Sequence, residues 1–448
     1  MTQAQTQMPD TLAQLWGTVT AVHPGMIDIA GISQLVGVGN EIMIDKPDGR
    51  LFGEILSVGM QTVTALLYAD SSAVRLGDTV WIAREAQVEI GDHWLGQVIN
   101  YRGEPMQTTA SAGLGLTATR PLRAKPPEAN ARRRLGERLS TSFMATDTLL
   151  PICMGQRVGL FAGSGIGKST LLGGLAGGIT ADRVVIALIG ERSREVNEFV
   201  TRKLAPDVMD KTVVVAATSS ESPGAKKRAA YCAIAAAEHF RDQGHNVLFL
   251  FDSLTRFAEA HREVALHSGE TPALNAYPPS TPRIVAELAE RSGPGAEGMG
   301  DITAIYSVLV AGSDMEEPVA DMVRGILDGH IILSRNIAER DRFPAIDILR
   351  SVSRSLPMAA SGPENELLSQ YRQRIALYED VMPMLRANLY EFGRDPQADR
   401  AIRQFPQLDQ FISERNTRGT ADAFERLQAL LDRDEEKQAV SSAEAGEE

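Results

Sequence analysis

The stretch VGLFAGSGIGKSTLL at residues 158–172 runs an apolar strand into a glycine-rich turn, and the turn into a helix beginning near Lys168. Successive backbone N–H groups of Gly163, Ser164, Gly165, Ile166 and Gly167 can wrap anionic oxygens at the positive end of that helix. Glycine keeps the wrap free of side-chain clashes. The pattern closes on Lys168, Ser169 and Thr170. A lysine at this place reaches the β- and γ-phosphates of a nucleotide as a point charge, and the serine hydroxyl reaches Mg²⁺. Ala162 stands where the usual G-x-x-x-x-G-K-[S/T] pattern has its first glycine, and one methyl group there leaves the cradle intact. Strand, loop, lysine, serine and helix in this order predict a P-loop that takes ATP with Mg²⁺.

A metal-bound phosphate needs a carboxylate from a further strand, and NVLFLFD at residues 246–252 supplies one, five apolar residues ending on Asp252. Asp252 is expected to hold Mg²⁺ directly or through water. Between the two lies VVIALIGERSREVNEF, residues 184–199, an apolar strand ending in Gly190, Glu191 and Arg192. A carboxylate just beyond a strand can polarise an attacking water, help typically worth ~10²–10⁴ in rate. A surface ion pair between Glu191 and Arg192 or Arg194 explains the same residues, and spacing alone leaves both readings open.

Around this centre the text changes twice. From Gly17 to about Ile90, six short β-type runs are broken by HPG, KPDGR and RLGD turns, which predicts a small barrel over residues 17–92. From about Gly155 to Arg354, buried apolar strands alternate with helices, which predicts an α/β domain with a parallel sheet covered on both faces. Residues 103–138 have linker composition, rich in Pro, Gly, Ala and Arg, and read as chain lying over a surface. The run Arg132, Arg133, Arg134 within them is either solvated or in contact with a neighbouring subunit, a nucleotide or an acidic partner. Beyond Ser361 the pattern is helical through residue 431, and residues 432–448, with seven acids against two bases, read as a disordered acidic tail. Residues 1–16 form a polar leader in which TLAQLW offers one short amphipathic turn to a partner.

Composition narrows the function classes. The chain has 448 residues, with 45 Lys plus Arg against 58 Asp plus Glu and a net charge of −13, so it offers no general cationic face to a nucleic acid. Cys153 and Cys232 stand in unrelated contexts without ligand spacing, as buried thiols do. No run of about 18 apolar residues occurs, and the first residues lack the basic start and apolar core of a secretory signal. A cytoplasmic protein is expected.

The motifs IGERSREVNEF, VLFLFDSLTRFAEAHRE, EEPVADMVRGILDGHIILSR and FPAIDILRSVSR together resemble the ATP synthase and type III secretion ATPase superfamily, in its flagellar export branch. The resemblance covers residues 17–430. It implies a RecA-like ATPase domain, with its preceding linker, over residues 93–360. It also implies a helical C-terminal domain over 361–431, and a homohexameric ring hydrolysing ATP with Mg²⁺. By the same resemblance Glu191 activates the water, with Arg192 beside it, and Arg354 is an arginine finger acting in trans on the neighbouring subunit's nucleotide. Phe343 is then one wall of the adenine pocket, with Phe392 or Tyr390 as the other. Ser193 replaces a glycine of the usual GERGREV pattern, a change confined to the local turn.

Coexistence of Lys168, Glu191 and Arg354 in one chain lets every interface of a homohexamer be equivalent and catalytic. The resemblance further implies export of unfolded flagellar proteins. A regulator would bind at the N-terminus and escort chaperones at the C-terminal helices, and cargo and chaperones would dock at the base of an export gate beside the inner membrane. A virulence injectisome ATPase has the same chemistry. An RNA-translocating hexamer of the Rho type and a non-catalytic nucleotide-binding ring subunit are further readings. The acidic composition disfavours the first, and the intact set of Lys168, Glu191, Asp252 and Arg354 the second.

Overall fold

The computed structural model describes residues 16–47, 49–83, 86–106, 117–273, 277–310 and 315–444. Six strands, β1 (Trp16–His23), β2 (Met26–Ala30), β3 (Glu41–Lys46), β4 (Gly49–Val58), β5 (Thr62–Leu67) and β6 (Thr79–Ala83), close a barrel in the order β1-β2-β5-β4-β3-β6. Period-two alternation builds its interior. β2 buries Ile27 and Ile29 and leaves Asp28 between them half-buried, and Ile42, Ile55, Val63 and Val80 fill the space opposite. Closure satisfies the strand edges that an open sheet of this size would expose. The N-terminal leader falls outside the described residues up to Gln14 and Leu15, while Trp16 already belongs to β1.

Two expectations about the next segment are corrected. The barrel ends at Ala83, because β7 (Gln87–Gly91) pairs outside it, antiparallel to β9 (Thr117–Pro121), while β8 (Val98–Ile99) joins the central sheet. The stretch read as linker therefore contains a strand and buries Leu122. Its Gly- and Pro-rich flanks hid the short TATRP run, whose order comes from pairing with β7 and not from its own apolar pattern. The basic run is also tied down within the chain. Arg132 donates to the Ser292 carbonyl at 2.8 Å, and Arg133 to the Met299 carbonyl and to Asp301 Oδ1, each at 2.7 Å. Arg134 stays exposed.

The central domain alternates β10 (Arg157–Ala162), α1 (Lys168–Gly178), β11 (Arg183–Glu191), α2 (Ser193–Glu198), β12 (Thr212–Thr218), α3 (Pro223–Asp242), β13 (Val247–Asp252) and α4 (Leu254–His267). It continues through α5 (Thr281–Glu290), β14 (Ile302–Leu309), α6 (Pro318–Ile326), β15 (Gly329–Leu333), α7 (Arg335–Ala338) and β16 (Ile346–Ser353). The sheet order is β16-β15-β10-β14-β13-β11-β12-β8, parallel except for β16, which runs antiparallel to β15. Both faces are covered. Along β11, Val185, Ala187 and Ile189 enter the core shared with α3 and α4, while Val184, Ile186 and Leu188 enter the core shared with Leu171 and Leu175 of α1. Each strand therefore reads as continuously apolar, as a doubly covered parallel strand must.

The barrel is locked to this domain by charge. Arg228 on α3 donates to both carboxylate oxygens of Glu41 on β3, at 2.6 and 3.2 Å, and the Tyr68 hydroxyl donates to the same carboxylate at 3.1 Å. All three side chains are buried. Behind the sheet lie α8 (Gly362–Arg386), α9 (Pro396–Ser413) and α10 (Thr420–Glu444). The first starts on a capping box of Ser361 and Glu364. Tyr371, Phe411 and Leu427 of these helices join the core that α1 covers, so the C-terminal domain is continuous with the P-loop side of the sheet. The expected disordered tail is replaced, through Glu444, by a continuation of α10. Helix-forming Glu, Lys, Gln and Ala dominate there with no Gly or Pro before Gly446, so nothing stops propagation.

Candidate active site

The sheet order sets up the site before any side chain is considered. β10 delivers the glycine-rich loop, β14 lies beside it, β13 follows and β11 comes next, all ending on the same sheet edge. That carboxyl edge is where open α/β sheets bind ligands. Gly165 and Gly167 have φ of +79° and +89°, left-handed backbone that a residue with a side chain adopts only at a cost. Those two glycines turn the loop into a cradle and hand it to α1 at Lys168. Ile166, between them, packs its side chain into the core below and leaves its N–H to the loop.

Three of the sequence-predicted groups meet at one point. The Lys168 ammonium donates to Asp252 Oδ1 and lies 3.4 Å from Glu191 Oε1. The lysine side chain is 10% exposed and that of Asp252 3%, so the ion cluster is largely removed from water. Burial holds the Glu191 carboxyl above its ordinary pKa, the adjacent Glu195 carboxyl adds to the rise, and the Lys168 charge opposes it. Glu191 thus pairs with the P-loop lysine, while Arg192 is exposed and paired with Glu195 at 3.8 Å. The surface pair of Glu191 with Arg192 or Arg194 does not form. The cluster opens into a cleft of about 1190 Å³, lined by Gly163, Ser164, Gly165, Gly167, Ser169 and Thr170 on one side. Arg256, Glu259 and Glu263 of α4 line the other.

Sequence reading missed three contributors. Ser307 on β14 donates to Asp252 Oδ1 at 2.6 Å, and a serine within the apolar run ITAIYSVL was the available signal. Arg335 on α7 donates to the Ser164 carbonyl at 3.3 Å, and Arg256 packs under Gly190. No local pattern marked either arginine.

Comparison with known proteins fits this arrangement. Residues 142–353 match the nucleotide-binding domain of the ATP synthase alpha/beta family, and residues 361–431 match the T3SS EscN ATPase C-terminal domain. The chain is 42% identical to the flagellum-specific ATP synthase of Treponema pallidum over 89% of this chain and 88% of that protein. It is 40% identical to that of Caulobacter vibrioides over 93% and 96%. It is also 39% identical to the SPI-2 type 3 secretion system ATPase of Salmonella typhimurium over 89% and 90%. The assembled ATPase EscN of the enteropathogenic E. coli type III secretion system superposes with a TM-score of 0.84 at 35% identity, covering 93% of this chain and all of that one. EscN in complex with its central stalk EscO gives 0.83 at 36% identity, with the same coverage.

The chain belongs to the family of flagellum-specific ATP synthases and type III secretion ATPases. As a member of that family it is an ATP-hydrolysing enzyme. The remaining residues singled out by the family resemblance lie as follows. Phe343 stands over the P-loop, 47% exposed, with ring carbons 3.4 and 3.6 Å from where a Cβ on Gly167 would sit. Tyr390 and Phe392 form an edge-to-face pair at 5.1 Å, and the Tyr390 hydroxyl donates to Asp399 at 2.7 Å. Arg354 follows β16, exposed, with its guanidinium on the Arg324 carbonyl at 3.1 Å, and it does not line its own subunit's cleft. Thr170 accepts from Lys203 at 3.1 Å, and Ser169 is exposed to the cleft. Ser169, exposed to the cleft, and Asp252, buried on Lys168, each offer oxygen donors of the kind Mg²⁺ takes. Asp252 and Glu191 converge on a single ammonium. Among the described residues no helix is long and apolar enough to cross a membrane.

Proposed function

We propose that this chain is the Mg²⁺-dependent ATPase that energises protein export through a flagellar type III apparatus, working as a homohexameric ring. The observation that carries the reading is the Lys168 ammonium held between Asp252 and Glu191 at the mouth of the P-loop. The γ-phosphate competes for that ammonium when ATP enters. Lys168 transfers to the phosphate oxygens, and both carboxylates are released at once. Glu191, kept basic by burial, then accepts hydrogen bonding from the attacking water and takes its proton. Ser169 and Asp252 are the residues that would hold Mg²⁺, which when bound would supply neutralisation of the phosphate charge. Phe343 stacks one face of adenine. The Arg354 guanidinium of one subunit reaches the neighbour's γ-phosphate, and such fingers are worth ~10³–10⁵ in rate. Its place outside its own cleft supports action in trans.

The same reading places the protein in the cytoplasm beside an inner-membrane export gate. The leader at residues 1–16 would bind a regulator, and the C-terminal helices would bind chaperones and cargo. Names of the relatives, flagellar in most cases, favour this branch over an injectisome. Restored motility of a flagellar-ATPase deletion strain by this chain supports the assignment, and restored injectisome secretion without motility contradicts it. The chemistry is tested separately. Glu191→Gln is expected to bind ATP as the parent does in calorimetry while phosphate release falls about 10²–10⁴-fold. Lys168→Ala is expected to lose measurable binding. Full turnover by Glu191→Gln overturns the base assignment.

A further inference from the structure

We propose that Ser307 is a positioning residue for the metal-anchoring carboxylate, holding Asp252 in place after Lys168 has left it for the phosphates. The inference rests on the reading of Asp252 as the Mg²⁺ anchor. β14 lies between the P-loop strand β10 and β13, with Ser307 level with Leu160 on one side. The parallel pairing of Phe251 with Tyr306 places Asp252 level with Ser307 on the other. The hydroxyl is buried and donates at 2.6 Å to Asp252 Oδ1, the same oxygen that receives the Lys168 ammonium. Neither bond falls on Oδ2. When nucleotide draws Lys168 away, Ser307 is the remaining one of the two donors on Oδ1, and without its hydroxyl that buried oxygen would lose both bonds. A buried carboxylate oxygen in that state reorients toward another donor. The Ser307 hydroxyl stays behind on a rigid central strand. It would keep Oδ1 occupied and leave Oδ2 available to a bound ion or its water shell.

A hydroxyl in the middle of ITAIYSVL serves no packing purpose that alanine or valine would not serve better. Its hydrogen bond is to a charged acceptor, the stronger class. Outer-sphere partners of metal-binding groups typically set affinity by 10–100-fold. The role is distinct from that of Ser169, which sits on the loop side of the cleft.

The test is Mn²⁺ titration, read by electron paramagnetic resonance, into the full-length protein loaded with a non-hydrolysable ATP analogue, for the parent, Ser307→Ala, Ser307→Thr and Asp252→Ala. Analogue affinity in EDTA and the thermal unfolding midpoint are measured alongside. Ser307→Ala is expected to weaken Mn²⁺ binding about tenfold or more, with metal-free analogue affinity unchanged, and Ser307→Thr, which keeps the hydroxyl, to restore most of it. Unchanged Mn²⁺ affinity in Ser307→Ala while Asp252→Ala loses it overturns the role of Ser307 alone. Unchanged affinity in Asp252→Ala overturns the metal reading beneath it. Equal loss in Ser307→Ala and Ser307→Thr, tracking a lowered unfolding midpoint, assigns Ser307 to packing and also overturns the proposal.

Discussion

Residue by residue, the site turns on how one cation is shared among acids. Glu191 is held above its ordinary pKa by burial first and by Glu195 second, with Lys168 pulling it down. As the proposed base, Glu191 must be deprotonated to act, so turnover is expected to fall as pH drops through this raised value, with the acid limb of the rate profile above that of an exposed glutamate. Glu195→Ala removes a raising influence and restores none, so the acid limb is expected to move to lower pH. A limb that stays put or moves up would detach Glu195 from the titration of Glu191. Lys168 and Asp252, which the structure brings together, were placed in the sequence by their step from an apolar strand, whereas spacing alone left Glu191 open between this cluster and a surface ion pair. Ser307 was not legible in the sequence, because its partner is 55 positions away and becomes its neighbour through strand pairing alone. Arg192, named with Glu191, lines the same cleft, with its side chain 81% exposed and paired with Glu195.

Among the elements, those with a strong internal pattern were the readable ones. All six barrel strands and the P-loop strand and helix announce themselves by period and punctuation. β9 has no apolar face of its own, and its existence depends on β7, so composition alone made it linker. The acidic end of α10 shows the converse, since charge suggested a solvated tail while helix propensity carried the chain on to Glu444. The joint between barrel and α3 is an element-scale device. Arg228 and Glu41 are both nearly buried, so removing the cation leaves a carboxylate with Tyr68 as its remaining donor. Arg228→Ala is therefore expected to destabilise the barrel's docking by roughly 3–5 kcal/mol. Calorimetry should show an early, separate barrel transition. The double replacement Arg228→Met with Glu41→Leu, which strands no charge, should recover most of the loss. A single unshifted transition in Arg228→Ala would show that packing alone holds the joint.

For the whole molecule, the division of labour follows from where the two halves of the chemistry lie. Lys168, Glu191 and Asp252 converge at one sheet edge, and Arg354 leaves β16 away from its own cleft. In the proposed ring of identical chains, every P-loop would meet a neighbour's arginine. The most direct measurement is ATP turnover of rings assembled from an equal mixture of Lys168→Ala and Arg354→Ala chains, each inactive alone. An Arg354→Ala subunit supplies an intact P-loop and a Lys168→Ala subunit an intact finger, so random assembly makes about a quarter of the interfaces complete. Turnover rising to a corresponding fraction of the parent's on mixing is the expected result. A mixture as inactive as its parents, or Arg354→Ala rings that hydrolyse ATP at the parent rate, would contradict catalysis shared across the interface.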